Sequence, residues 1–221
     1  MFKIISYTKT SGFFLAFLVL GIIIYTIIIQ NISPITNSTS LIFPKPSPFK
    51  IDNAPSDSLK GKITSFSGKV GWESRTATEP AELTSPVTIQ QGEKIVTDKD
   101  GKASLEFNNT CKLEIDPETE INTIQTLPAN IVFQQNSGSA TYIKTGTFPV
   151  SIRILHLLVQ QNEGILIISL DKHKQIITIE VVKGNINTAF NNLNNVSRIA
   201  TINEGEKYIF NDNTRNGIIE P

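Results

Sequence analysis

The sequence predicts an all-β domain, a sandwich or roll of many short strands, preceded by one transmembrane helix. Ile occurs 34 times and Ala only 9 times, and β-branched side chains favour a pleated sheet over a helix. From Gly61 onward, short apolar runs alternate with turn residues. Near the N-terminus, the 18 residues 12–29 carry no charge. A run of that length and composition is typical of a membrane span.

Residues 12–29 are predicted to form a signal-anchor helix whose partner is the lipid bilayer. At 1.5 Å per residue the run spans roughly 27 Å, close to the hydrocarbon thickness of a membrane. Lys3 and Lys9 precede it, whereas the next basic residue is Lys45. This asymmetry keeps the N-terminal side in the cytoplasm. We therefore expect residues 1–11 to be a cytoplasmic stub and the C-terminal domain to be extracytoplasmic.

Two alternatives exist for this apolar run. A buried core helix is one, but the run is apolar on every side rather than on one face. A cleaved signal peptide is the other. It has a shorter apolar region followed by small residues, whereas bulky residues occupy positions 27–29 here. An uncleaved anchor is the favoured interpretation.

Residues 30–60 are predicted to be a proline-rich linker. The segment holds five of the eleven prolines of the chain, at positions 34, 44, 46, 48 and 55, with Ser, Thr and Asn between them. Proline removes backbone donors and favours extended conformations, so a packed core is not expected here.

Residues 61–211 are predicted to form the β domain, and residues 212–221 a tail. Ala103, Leu105 and Phe107 alternate with polar residues, as a half-buried strand requires. A first strand pair is expected to be broken at Ser67 and Gly68. The other predicted strand segments are residues 93–97, 113–115, 121–127, 131–133, 140–143, 150–159, 165–170, 176–182, 186–190, 196–202 and 207–210.

The segment 150–161 is the one ambiguous element of the domain. Its sequence, SIRILHLLVQQ from position 151, is compatible with one or two helical turns. The period-two spacing of Ile152, Ile154 and His156 favours a strand instead.

Charge and cysteine content exclude several classes of function. The chain carries 20 basic and 20 acidic residues, and beyond residue 50 the balance is 16 basic to 20 acidic. A nucleic-acid-binding protein needs a clustered basic surface, so no nucleic-acid partner is expected. The one cysteine permits neither an intramolecular disulfide nor a Cys-based zinc cluster.

Residues 61–211 resemble the FecR domain. The resemblance is carried by residues 91–97 (QGEKIVT) and 101–110 (GKASLEFNNT), followed by Leu113, Ile115, Pro117, Thr119 and Ile121. Later segments at 137–139, 179–186 and 203–207 are similar to its closing strands. The resemblance implies an extracytoplasmic β module. Family members that regulate sigma factors carry a cytoplasmic domain, and a stub of eleven residues is too short to fold as one, so that regulatory activity is not expected.

Histidine and cysteine are the first candidates for chemistry. His156 and His173 are the only histidines, and a metal site needs a third or fourth ligand beside them. A turn position for His173 and a position at the edge of the core for His156 are the favoured interpretations. Cys111 shares the parity of Leu113 and Ile115, so we expect a buried, inert thiol. An intermolecular disulfide is the alternative.

Acidic residues supply two further candidates. Residues 98–101 (DKDG) resemble the start of a calcium loop but lack its remaining ligands, so a hairpin turn is expected. Glu114, Asp116, Glu118 and Glu120 contain pairs of carboxylates such as glycosidases use. We expect them on outward, solvated positions of a strand.

No catalytic, cofactor-binding or metal-ligating residue is therefore expected, and no cofactor. The sequence also lacks the GxSxG, P-loop, dinucleotide and HExxH motifs. The expected function is a non-catalytic, membrane-anchored module of the bacterial cell envelope that presents its β domain to a protein or cell-wall ligand. One alternative is a component of a transmembrane signalling system that senses an extracytoplasmic ligand and acts through another membrane protein. A hydrolase is the third.

Overall fold

The computed structural model describes Thr26, residues 54–107 and residues 109–221. The predicted stub 1–11, the predicted helix 12–29 apart from Thr26, and most of the linker 30–60 lie outside the described residues. Within those described ranges, no helix is long and apolar enough to span a bilayer.

The described part of the chain beyond residue 60 is built from strands, which confirms the prediction of an all-β fold with many strands. The seventeen strands are β1 (Gly61–Ser67), β2 (Val70–Glu73), β3 (Ala81–Glu82), β4 (Thr88–Ile89), β5 (Lys94–Thr97), β6 (Lys102–Phe107), β7 (Cys111–Ile115), β8 (Glu120–Leu127), β9 (Asn130–Lys144), β10 (Val150–Ile154), β11 (Leu157–Gln161), β12 (Gly164–Asp171), β13 (Ile176–Lys183), β14 (Asn185–Asn191), β15 (Ser197–Asn203), β16 (Lys207–Asn211) and β17 (Asn216–Glu220).

These strands form two sheets that share β9. The first sheet runs in the order β4, β1, β6, β7, β9, β12, β13, β16, β17. The second runs β3, β2, β5, β8, β9, β10, β11, β14, β15. Neighbouring strands are antiparallel except β9 and β10, which are parallel. The hydrogen-bonded network does not close, so each sheet has two free edges.

The strand β9 changes sheets at Gly138. Residues 130–137 pair with β8 and β10, whereas residues 138–144 pair with β7 and β12. Gly138 has φ of +75°, a conformation that glycine adopts readily. A Cβ at this position would lie 2.6 Å from the carbonyl oxygen of Glu118 and from the Cα of Thr119. Glycine is therefore required where the strand passes from one sheet to the other.

The inward side chains of both sheets form one apolar core. Along β6, β7 and β9, alternate residues are buried, as the period of a strand requires. Aromatic rings connect the two sheets. The ring centroids of Phe107 and Phe133 are 5.6 Å apart, and those of Phe190 and Phe210 are 4.8 Å apart. Both distances lie in the range of favourable aromatic pairs.

Buried amide side chains satisfy backbone groups beside the point where β9 changes sheets. The Gln135 side-chain amide donates to the carbonyl oxygens of Gly138 (2.9 Å) and Ile168 (3.2 Å). The hydroxyl of Tyr142 donates to the Gln135 side-chain oxygen at 3.0 Å. The Gln161 amide donates to the backbone of Tyr142 at 3.1 Å. Each of these bonds removes the cost of a buried unpaired polar group.

The structure corrects the predicted strand pairing in two places. The strands on either side of Ser67 and Gly68 do not pair with each other, because β1 lies in the first sheet and β2 in the second. The predicted strands at 131–133 and 140–143 are one continuous strand, β9, because Gly138 redirects the chain without ending it.

The ends of other elements also differ from the sequence prediction. Residues 150–161 are extended, as predicted, but form the two strands β10 and β11 joined at Leu155 and His156. The predicted tail 212–221 contains β17, which pairs with β16. In the linker, Leu59 packs against the core and its N–H donates to the carbonyl of Thr126 at 2.7 Å. The folded unit therefore extends past both predicted boundaries.

We predict that Gly138→Ala destabilises the domain by several kcal/mol, since a Cβ collides with backbone atoms there. Gly205→Ala is the matched control. Its φ is +83°, but no atom lies within 4 Å of the added Cβ, so only the backbone cost of about 1–2 kcal/mol applies. Chemical denaturation of both variants measures the difference. Equal losses of unfolding free energy would show that the close approach at Gly138 does not matter.

Candidate functional site

The free edges of the two sheets differ in length at the two ends of the domain. At one end lie β3 and β4, which have two residues each. At the other end lie β15, with seven residues, and β17, with five. Within the described ranges, β15 pairs with β14 alone and β17 with β16 alone. Very short edge strands protect a sheet against further pairing, and long ones offer unpaired N–H and C=O groups.

Apolar side chains are exposed at the same end. Five of the eight large apolar residues exposed in the described part of the chain are Leu193, Val196, Ile199, Ile218 and Ile219. Ile199 is 77% exposed and Leu193 is 69% exposed. We call β15, β17 and the loop 192–196 the C-terminal edge surface. Concentrated exposed apolar area of this kind is typical of interaction sites.

Gly217 determines how β17 lies at this edge. It is paired with Phe210 in the register of β16 and β17. A Cβ on Gly217 would lie 2.6 Å from Cε2 of the Tyr208 ring. Burial raises the pKa of the Tyr208 hydroxyl, and a hydrogen bond with Thr188 of the second sheet opposes that shift. The glycine thus allows β17 to lie across a ring that is anchored to both sheets.

The charged residues of the C-terminal edge surface are few. Arg198 in β15 and Glu220 in β17 are the charged members of the two edge strands. Natural sheets often place lysine, proline or a bulge on an edge to prevent unwanted pairing. Neither β15 nor β17 contains a lysine or a proline. Their chemistry is therefore suited to the addition of another strand.

The two histidines lie in separate turns with separate partners. His156 is in the turn between β10 and β11, where its ring Nδ1 lies 2.9 Å from Oδ2 of Asp212. His173 is in the turn between β12 and β13, and its backbone N–H donates to Asp171 at 3.1 Å. In the described ranges, no group of three or more His, Cys, Asp or Glu side chains is arranged to hold a metal ion.

Cys111 is buried, as predicted from its parity with Leu113 and Ile115. It is 2% exposed at the start of β7. Burial raises the pKa of the thiol to about 12, and the nearby Lys144 opposes the shift. A thiol with that pKa is a poor nucleophile near neutral pH.

Residues 98–101 form a turn, as predicted, but not a hairpin. The Gly101 N–H donates to the carbonyl of Asp98 at 2.9 Å. The turn joins β5 of the second sheet to β6 of the first sheet, so the prediction of a hairpin is wrong. A backbone hydrogen bond from Lys99, followed by the Lys69 ammonium at 3.2 Å, lowers the pKa of Asp98. The Asp98 carboxylate is therefore already engaged by the Lys99 N–H and the Lys69 ammonium.

The acidic residues between 114 and 120 do not share one strand. Glu114 lies in β7 of the first sheet and Glu120 begins β8 of the second sheet. Lysines contact three of the carboxylates: Lys112 with Glu114 at 2.8 Å, Lys102 with Asp116 at 3.9 Å and Lys94 with Glu120 at 3.8 Å. A shorter contact of 2.7 Å joins Lys94 to Glu73, and this hydrogen bond is the main cause of the raised pKa of Lys94. These carboxylates therefore form separate ion pairs, of which those with Lys102 and Lys112 are exposed and those with Lys94 are partly buried.

Sequence reasoning missed two features of the candidate sites. The strand β17 was not found because its five residues are all exposed and show no alternation of burial. The contact between His156 and Asp212 was not found because the two residues are 56 positions apart. The tight turn at 155–156 could have been predicted, because the polar His156 interrupts an otherwise apolar run.

We predict that the domain loses stability above pH 9 in part through Cys111. A pKa raised from 9.0 to about 12 in the folded state gives stability that is fully present below pH 9 and is lost as the pH rises toward 12. The loss has a slope of up to about 1.4 kcal/mol per pH unit. Denaturation of the native chain and of Cys111→Ala at pH 8 and pH 11 measures it.

The Cys111→Ala variant is expected to lose less unfolding free energy between the two pH values than the native chain. Burial raises the pKa of Tyr142 in both proteins, and the Cys111 thiolate raises it further in the native chain alone, which increases the expected difference. Identical pH dependence in the two proteins would contradict the prediction.

Comparison with known proteins gives distant similarity only. No family model matches the chain, and no curated protein matches its sequence. Two crystal structures described as a "putative anti-sigma factor" from Parabacteroides distasonis, at 2.50 and 1.65 Å resolution, align with 57% of this chain and 58% of theirs. The TM-score is 0.49 for both, with 11% and 10% sequence identity. At this level the similarity assigns neither a family nor a function.

Proposed function

We propose that this protein is a membrane-anchored, non-catalytic binding module of the bacterial cell envelope. In this proposal residues 12–29 anchor the chain in the membrane, residues 30–60 form the tether, and the FecR-like β domain is extracytoplasmic. The uncharged run at 12–29 and the prolines of the linker support the anchor and the tether. The partner is a protein of the envelope that offers an extended segment.

The observation that carries the proposal is the pair of long, unprotected edges at the C-terminal edge surface. A peptide that adds to a free edge gains backbone hydrogen bonds along its length, and alternate side chains give it specificity. The edge strands β3 and β4, of two residues each, offer little backbone for such pairing. The seven-residue β15 offers the longest free edge in the described part of the chain.

The outer face beside β15 also favours an apolar ligand residue at one position. The strand register places Leu158 opposite Ala189, and Ala189 opposite Ile199, in one row across β11, β14 and β15. Leu158 is 44% exposed and Ile199 is 77% exposed. A peptide residue paired with Ile199 would continue this row. Full burial of one isoleucine side chain is worth about 1.5–3 kcal/mol, so a single apolar contact there matters to affinity.

The neighbouring row is polar and fixes the expected pattern of the ligand. Asn187 pairs with Thr201, and the Thr201 hydroxyl donates to the Asn187 side-chain oxygen at 2.9 Å. Because strand side chains alternate between faces, residues two apart along the added strand would face these two rows. The expected segment therefore has an apolar residue opposite Ile199 and a polar residue opposite Thr201.

We predict that Ile199→Lys prevents capture of the partner, since charged edge residues oppose strand addition. Ile124→Lys is the matched control, because Ile124 is also exposed, at 44%, but lies in the interior strand β8. A photoreactive side chain placed at position 199 or 124 of the full chain, in intact membranes, measures contact directly. We expect a crosslinked protein from position 199 only, with the attached residue in an extended segment.

Two proline substitutions test whether backbone pairing is involved. N–H groups of successive strand residues point to opposite sides, so of Ile199→Pro and Ala200→Pro one removes a donor from the free edge. With the photoreactive side chain moved to the exposed position 201, that variant, like Ile199→Lys, should lose the crosslink while the domain stays folded. Equal crosslinking from positions 199 and 124, or crosslinking that survives both proline variants, would rule out strand addition at β15.

A further inference from the structure

A second candidate binding site adjoins the C-terminal edge surface, where two turns meet. The turn between β10 and β11 approaches the turn between β16 and β17, and together with the outer face of the second sheet they border an open surface cavity of about 360 Å³. The lining residues are Arg153, Leu155, His156, Leu157 and Leu158, together with Asn191 at the end of β14 and Arg215 in the turn between β16 and β17.

A buried carboxylate orients an exposed imidazole at this cavity. Asp212 is 7% exposed. It accepts the backbone N–H of His156 at 3.2 Å, and the ring Nδ1 lies 2.9 and 3.2 Å from its two oxygens. A carboxylate only accepts hydrogen bonds, so the proton is placed on Nδ1. The Nε2 atom, which has no partner in the described part of the chain, is then left as an acceptor on a ring that is 57% exposed.

Both turns hold a bulky residue in the left-handed region. Leu155 and Arg215 each have φ of 50°, which costs such a residue about 1–2 kcal/mol. Arg215 is held in place by its own side chain, whose Nε donates to the carbonyl of Asp212 at 2.9 Å. Asp212 is fixed in turn by its N–H, which donates to Gln175 at 2.9 Å. Strained backbone that the surrounding structure enforces is found most often at binding and catalytic sites.

The cavity is positively charged. Its lining contains two arginines and no carboxylate side chain. Arg215 is close to Asp212, with 3.8 Å between Nε and Oδ1. Arg153 is exposed, and its guanidinium makes no hydrogen bond or ion pair with any described residue. The Asp212 carboxylate is already engaged by His156 and Arg215, so the free guanidinium of Arg153 leaves an excess of positive charge that favours a carboxylate ligand.

The remaining lining residues are suited to a hydroxylated ring. Asn191 accepts the Ser197 hydroxyl at 2.8 Å through its side-chain oxygen, which leaves its amide group free to donate. Leu155 and Leu158 supply apolar surface beside the polar groups. The site therefore offers a cation, an acceptor at Nε2 of His156, a donor at Asn191 and an apolar wall.

We infer that this cavity binds a saccharide that carries a carboxylate. Arg153 pairs with the carboxylate, Nε2 of His156 accepts a sugar hydroxyl, and Leu155 and Leu158 contact the C–H face of the ring. Two sources share this chemistry, the N-acetylmuramic acid units of a wall glycan from which the stem peptides have been removed, and the hexuronic acid units of an acidic polysaccharide. The cavity shares Leu158 with the apolar row beside β15, but Arg153 lies in neither edge strand, so its substitution tests the saccharide site separately from the proposed function.

The test is binding of small saccharides to the full 221-residue chain in a polyoxyethylene detergent, which carries no sugar. N-acetylmuramic acid and N-acetylglucosamine form a matched pair, because the first carries a lactyl carboxylate that the second lacks. Glucuronic acid represents the second source. Titration followed by ¹H–¹⁵N NMR measures affinity, and the ring nitrogen signals of His156 report contact at the site.

We expect at least one of the two acidic sugars to bind, with affinity about tenfold or more above that of N-acetylglucosamine. The tighter of the two identifies the source. Arg153→Met should remove this preference, whereas Lys62→Met, on the distant strand β1, should keep it. The inference is overturned if neither acidic sugar binds, if N-acetylglucosamine binds equally well, or if Arg153→Met leaves the preference unchanged.

Discussion

The structure depends on one strand that belongs to both sheets. In the described part of the chain, no strand of β1–β8 pairs directly with a strand of β10–β17. Only β9 pairs with strands of both groups. The change of sheet needs a left-handed residue without a Cβ at position 138, because Thr119 and Glu118 lie against it. The buried side-chain amide of Gln135 also donates to the carbonyl oxygens of Gly138 and Ile168 beside the bend. Sheet order, core and edges all follow from this arrangement.

The edge strands at the two ends of the domain differ in length and in their exposed side chains. At the end that carries β3 and β4, the edge strands are reduced to two residues each. At the other end, β15 and β17 are longer and carry exposed isoleucines. Exposed apolar edges promote aggregation unless they are covered. A protein that maintains such an edge is expected to use it for binding.

Sequence patterns predicted most strands but not their assignment to sheets. Alternation located β6 at Ala103, Leu105 and Phe107, because one face of that strand is buried. A Ser–Gly step such as Ser67–Gly68 has the same composition whether it joins paired strands or strands of two sheets, so the pairing of β1 with β2 was predicted wrongly. For the same reason, β9 was predicted as two separate strands on either side of Gly138. Asp212 was not recognised because its partner is distant in sequence.

The parallel pairing of β9 with β10 has a consequence for the order of folding. Residues 61–144 contain every strand from β1 to β9, and the pairings among these nine strands need no later residue. The strands β10 and β12, by contrast, need β9 as a template. During synthesis from the N-terminus, the first nine strands can assemble while the rest of the chain is still emerging. Strands β10 to β17 then extend both sheets from the nine strands that are already paired. The edge strands β15 and β17 are the last to be added to their sheets.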